Sequence, residues 1–322
     1  MATSLREGLA RIGEPRMGET LPAIPGGFHS SPSSLRGVLA ATRPPEPESW
    51  TMAKEEFIDA DWTEECQGVT HGAGHWFFSS NGSHLASVVN RSPRAIYRFN
   101  GPELTGVYSL DVARGMHLGD LDFFEGHLFA PLEPSDDGAL LGIPPIAGPE
   151  VLIVDADFTP STPVTTSGVP LKGAAGGAPP QRDLPWCAVN PLNRLLYSSP
   201  FEQTDEVFAY DPQDGFRHTK TLRLRRPIDD VQGGCFSDVG HLYLASDAGR
   251  AIEAYSALNG QHLGSAGILV EEADQEVEGL CCVKLEVDGV ASQLHVVLLE
   301  NRDIAKDNIF FKHYQAPIPD AV

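Results

Sequence analysis

Gln232–Ser246 reads QGGCFSDVGHLYLAS, and this stretch decides the fold. Small residues open it, a tight turn follows at Gly240, and a Gly-His pair then leads into an aromatic run. Short apolar runs joined by a Gly turn are the signature of paired β-strands. The same grammar stands in CQGVTHGAGHWFFSS from Cys66, LGDLDFFEGHLFAPL from Leu118 and PWCAVNPLNRLLYSS from Pro185. A longer version, VEGLCCVKLEVDGVASQLHVVLL, begins at Val277. The turn glycines Gly74, Gly126 and Gly240 each lie six residues after Gly68, Asp120 and Gly234.

Each pair of strands is followed by a third: AIYRF from Ala95, EVLIVD from Glu150, EVFAYD from Glu206, AIEAYS from Ala251 and NIFFKHY from Asn308. A more polar fourth strand then leads on in four units, as TGVYSLDV, TPVTTSGV, KTLRLRR and HLGSAGILV. Four antiparallel strands per unit, with units about 45 to 70 residues apart, make the blades of a propeller. The fifth unit lacks a fourth strand, and KEEFIDADW from Lys54 precedes the first unit. That segment is expected to complete the last blade and so remove its exposed edge. The expectation is an all-β chain: a single five-bladed β-propeller with four-stranded antiparallel blades over residues 51–322, closed by an N-terminal outer strand. A six-bladed ring finds no spare segment. Gly68, Gly119, Gly233, Gly234 and Gly279 fall where inner strands crowd the axis. Residues 1–50, rich in Pro, Gly and Ser, are expected to be an arm or a disordered tail outside the repeats, not a second domain.

The net charge of −21 opposes phosphate backbones and anionic membrane faces, so neither nucleic acid nor membrane is an expected partner. A small-molecule ligand, a cation, or a glycan or protein partner remains compatible with that surface. The N-terminal stretch lacks the apolar run of a secretory signal, and no segment approaches the roughly 18 apolar residues of a membrane span. Five cysteines without metal-ligand spacing read as buried free thiols, and the expected location is cytoplasmic. Motifs of serine hydrolases, zinc proteases, P-loops and dinucleotide folds are all missing from the sequence.

Acidic residues stand just before or within the inner strands: Glu64, Glu65, Asp120, Asp122, Asp183, Asp229, Asp230, Glu276 and Glu278. In a propeller these positions from different blades converge at one mouth of the central channel. Oxygen ligands from several segments suit Ca²⁺ or another divalent cation, with Asp120, Asp183, Asp230 and Glu278 as the metal set. Crowded carboxylates also shift one another's pKa and supply an acid–base pair. His71, His117, Asp120 and Asp230 are the candidate catalytic residues. Gln67, Trp186 and Gln232 are the candidate ligand-binding residues, with Trp186 as a stacking wall.

GHLYLASDAGRAIEAYSALNG resembles blades of the NHL-type and lactonase-like propellers. CQGVTHGAGHWFFSSN with IYRF is similar to the opening blade of the plant and bacterial glutaminyl cyclases, a resemblance carried onto Gln67 and Gly68. It implies a five-bladed propeller. Two expectations of function follow. The first is a small-molecule hydrolase, lyase or cyclase with an acidic site at the channel mouth. The second is a non-catalytic propeller that binds a glycan or a protein.

Overall fold

The computed structural model describes residues 51–82, 93–110, 115–136, 142–159, 168–268, 275–287, 289–301 and 307–315. The arm of residues 1–50 lies outside them, as does most of TPVTTSGV.

The chain enters as β1 (Thr51–Ile58). Blade one is β2 (Cys66–Gly72), β3 (His75–Ser80), β4 (Ala95–Asn100) and β5 (Glu103–Ser109). Blade two is β6 (Met116–Leu118), β7 (Asp122–Phe124), β8 (His127–Pro134), β9 (Glu150–Asp155) and β10 (Val169–Pro170). Blade three is β11 (Ala188–Val189), β12 (Leu196–Ser198), β13 (Thr204–Asp211) and β14 (Arg217–Ile228). Blade four is β15 (Val231–Phe236), β16 (His241–Ser246), β17 (Ala251–Ser256) and β18 (His262–Gly267). Blade five is β19 (Gln275–Val287), β20 (Val290–Glu300) and β21 (Asn308–Gln315). Strand β1 pairs antiparallel with β21 from Thr51↔Gln315 to Ile58↔Ile309, which gives the last blade its fourth strand. The five sheets form a β-propeller closed by its own N-terminal strand.

The core lies between blades. Five apolar clusters each draw side chains from two neighbouring sheets, such as Phe77 and Leu128 for blades one and two, or Phe78 and Phe311 for blades one and five. Burial on both faces explains why inner and middle strands read as apolar runs without clean alternation. The β2–β3 turn carries positive φ at Ala73 (51°) and Gly74 (79°), the primed geometry that suits twisted strands. Among the described residues no helix is long and apolar enough to cross a membrane.

In blade two the inner strand is split. Between β6 and β7 the backbone of Asp120 leaves its own sheet and bridges Trp186, with Asp120 N–H donating to the Pro185 carbonyl at 2.8 Å. Gly119 permits this approach, since a Cβ there would collide with that carbonyl.

Candidate functional site at the channel mouth

The axis of the ring is filled by one carboxylate. Asp120 is fully buried; its Oδ1 accepts the Val69 N–H at 3.0 Å, and its Oδ2 accepts those of Gly234 (3.1 Å) and Leu280 (3.2 Å). A single side chain from blade two thus holds the inner strands of blades one, four and five. Burial pushes its pKa well up, while the three N–H groups pull the other way. Gly68 and Gly233 make room: an added Cβ would lie 2.5 Å from the Asp120 Cα and 2.6 Å from the Glu278 carbonyl oxygen.

A second ring of contacts runs from blade to blade. Asn81 Oδ1 accepts the Leu118 N–H at 2.7 Å, and Glu133 Oε2 accepts that of Leu184 at 2.6 Å. Asp247 Oδ1 accepts the Val277 N–H at 2.7 Å, and Asp307 Oδ2 that of Glu65 at 3.1 Å. Between blades three and four the Phe201 carbonyl does the same for Val231 at 2.9 Å. Groups in the connection between one blade's second and third strands, or at the end of its second strand, therefore satisfy the start of the next blade's inner strand, as buried backbone donors require.

Inside this ring the mouth opens as a cavity of about 250 Å³ lined by Glu65, Gln67, His117, Glu133, Pro185, Phe201, Gln232, Glu276 and Glu278. Glu278 is the unusual member. It is 1% exposed, yet among the described residues neither carboxyl oxygen has a hydrogen-bond donor. The Glu276 carboxyl stands beside it and can bond it only when one of the two carries a proton. Burial first, then the charges of Glu276, Asp247 and Glu65, push the Glu278 pKa well up, and burial and Asp247 raise Glu276. His117 Nδ1 lies 3.2 Å from Glu133 Oε1, within ion-pair distance but not aligned as a hydrogen bond.

The sequence-based set divides by position. Gln67, His117, Gln232 and Glu278 share this mouth. His71 lines the opposite one, a cavity of about 220 Å³ that also includes Asp122, Cys235, Cys281 and Cys282. Burial lowers the His71 pKa, and the Asp122 carboxyl is pushed up to about 7. Asp183 and Asp230 line neither cavity; burial and neighbouring acids raise both. Trp186 is fully buried, its ring packed on Gly234 and its Nε1 donating to Ser199 Oγ at 2.9 Å, so it fills a wedge between blades and forms no exposed wall. Nor do Asp120, Asp183, Asp230 and Glu278 meet around a shared point. Among the described residues no three His, Cys, Asp or Glu side chains are placed to hold one metal ion. Asp120 spends both oxygens on backbone donors from three blades, and Asp183 and Asp230 line neither cavity.

Glu133 is the mouth residue that the acidic count passed over. Its signal is positional. Asn81, Glu133 and Asp247 each follow by six residues the His that opens the blade's second strand (His75, His127, His241).

No family model and no curated protein matches the chain. Solved structures do align with it. A glutaminyl cyclase from Myxococcus xanthus is 10% identical over 83% of this chain and 97% of its own, with a TM-score of 0.49. A gluconolactonase from Xanthomonas campestris is 16% identical over 77% of this chain and 72% of its own, at 0.43. Regucalcin from Agrobacterium tumefaciens, a calcium-binding protein, is 10% identical over 81% and 94%, at 0.45. Likeness at this level carries no argument about chemistry or fold; the five-bladed architecture stands on the sheet order itself.

Proposed function

We propose that the chain is an enzyme that moves a proton on a small amine-bearing or otherwise cationic molecule at the acidic mouth. One observation carries this reading: the buried Glu278 carboxyl, without a donor and next to Glu276, faces the cavity. A buried acceptor left unsatisfied costs about 1–3 kcal/mol, and a ligand N–H⁺ that reaches it relieves that cost. The surrounding acids favour a cation and disfavour an anion. With the pair sharing a proton, Glu278 accepts one from the ligand while Glu276 holds or returns it; burial and mutual repulsion raise both carboxyls, which favours a shared proton. Gln67 and Gln232 supply amides to orient the ligand, and His117 stands across the cavity as a second proton carrier. Ring closure, hydrolysis and elimination all use such a carboxylate pair. No step is assigned to a divalent cation, because the described donors do not converge on one.

The test is a thermal-shift and turnover screen of small amines, alcohols and anions against the wild type and Glu278→Gln. A cognate amine should raise the wild-type midpoint and be converted, while Glu278→Gln should lose at least tenfold in affinity, about 1.4 kcal/mol, and lose turnover. Equal response of both proteins would overturn the reading.

A second reading, a glycan-binding propeller, has its own observation. A groove of about 570 Å³ between blades five and one is walled by Trp62, Trp76, Phe78, Phe99 and Phe311. Aromatic faces of this kind stack on sugar rings. Glycan binding that survives Glu278→Gln and is lost in Trp62→Ala would favour it.

A further inference from the structure

The second mouth holds chemistry that the acidic mouth does not use. Cys235 on β15 and Cys282 on β19 are free thiols on the inner strands of adjacent blades, 47 residues apart, with their sulfurs 3.0 Å from each other. A disulfide bond is about 2.05 Å long, so the pair lies roughly one ångström from bonding distance. Both residues line the same cavity of about 220 Å³. Cys235 is 3% exposed, whereas Cys282 is half-buried and reachable from the cavity. Cys281, the neighbour in sequence, is 5% exposed and takes the His71 backbone N–H at its sulfur.

We propose that Cys235 and Cys282 form a reversible disulfide that staples blades four and five at this mouth, with a small-molecule disulfide of the glutathione type as the oxidant. The Cys282 sulfur, as thiolate, attacks one sulfur of the oxidant. The oxidant's S–S bond breaks, and one small thiol leaves after taking up a proton. The Cys235 sulfur gives up its proton to the cavity, whose wall includes the Asp122 carboxyl, and attacks the Cys282 sulfur of the mixed disulfide. A second small thiol leaves. Two protein thiols are thus oxidised, one small disulfide is reduced to two thiols, and excess small thiol reverses the exchange. The roles follow from access: Cys282 meets the oxidant, and Cys235 resolves the intermediate. Burial raises the Cys235 thiol well above its ordinary value, so Cys235 is the slower of the two to attack a small disulfide directly.

The experiment equilibrates the full chain in glutathione buffers of graded potential, traps free thiols with N-ethylmaleimide, and maps the peptides by mass spectrometry. The expected result is one Cys235–Cys282 cross-linked peptide, a loss of two hydrogens in intact mass, and full reversal by dithiothreitol. Cys281→Ser should behave as the wild type. Cys235→Ser should stall as a glutathione adduct on Cys282. Wild-type mapping alone decides the matter if a variant fails to fold. A chain that stays fully reduced in the most oxidising buffer, or a bridge that involves Cys66, Cys187 or Cys281, overturns the proposal.

Discussion

Asp120 and Glu278 are both buried acids near the axis of the ring, and they differ in what surrounds their oxygens. Asp120 meets three backbone N–H groups from three blades, so its negative charge is matched where it stands. Asp120→Ala should leave those donors without an acceptor and, at about 1–3 kcal/mol each, cost several kcal/mol or prevent folding. Asp120→Asn keeps one carbonyl oxygen and should cost less, because it retains either the Val69 contact or the Gly234 and Leu280 pair. Urea unfolding of the two variants checks the order, and equal losses would deny that the carboxylate acts as a clamp. Glu278 has no such donors. Among the described residues no donor compensates a charge there, and that contrast is what the proposed ligand cation would answer.

The closing strand is an element held partly by titratable groups. Across β1 and β21, Glu56 Oε1 lies 3.2 Å from His313 Nε2, and Lys312 Nζ lies 2.8 Å from Glu55. His313 Nδ1 faces His295 Nδ1 at 2.7 Å on β20. The His313 hydrogen bond, opposed by burial, brings Glu56 down to about 2, and burial brings His295 down to about 3. For Glu56 the stabilisation is present above 4.5, its unfolded value, and is lost as pH falls through about 2. For His295 the unfolded chain binds a proton below 6.5 while the folded chain does not, so stability declines as pH falls from 6.5 towards about 3. Closure should therefore weaken on the acid side. Amide hydrogen exchange along β1, corrected for intrinsic rates, should be faster at pH 4.5 than at pH 7, with blade three unchanged. Glu56→Gln should by itself speed β1 exchange at pH 7; the Glu56 side chain is 36% exposed, so its share is about 1 kcal/mol or less. Uniform acceleration in all blades would mean that closure is not the weak point.

At the scale of the whole molecule, the chain carries a net charge of −21, and both mouths hold acids whose carboxyls are raised by burial. Asp122, Glu276 and Glu278 all have folded pKa values above their unfolded ones. The folded state then binds more protons than the unfolded state, and stability falls as pH rises through that window. For Asp122 the window runs from 3.8 to about 7. Going from pH 6 to pH 8 should thus remove about 1 kcal/mol through Asp122, seen as a midpoint a few degrees lower at pH 8. Asp122→Asn should flatten the difference. A midpoint that rises towards pH 8 would reject this assignment. Because buried His295 opposes acid, maximum stability should lie slightly on the acid side of neutrality.

What the sequence by itself determined is the ring. Blade number, strand order within blades, the closing role of the segment at Lys54 and the crowded glycines all follow from local, repeated patterns: turn chemistry, apolar runs and a recurring Gly-His pair. Such signals are written within each unit and need no knowledge of neighbours. The convergence of Gln67, His117, Gln232 and Glu278 on one mouth also follows from their shared place in the repeat. Only the tertiary structure decided which acids are occupied and which are free. Asp120, Glu133 and Asp247 accept N–H groups that belong to other blades, and Asp183 and Asp230 sit outside both mouths. Trp186 is sealed against Gly234, and two cysteines far apart in the chain meet across a blade junction. Those outcomes depend on distances between units. A repeat encodes what each blade looks like, whereas hydrogen-bond satisfaction and burial at the axis are set only when five blades meet.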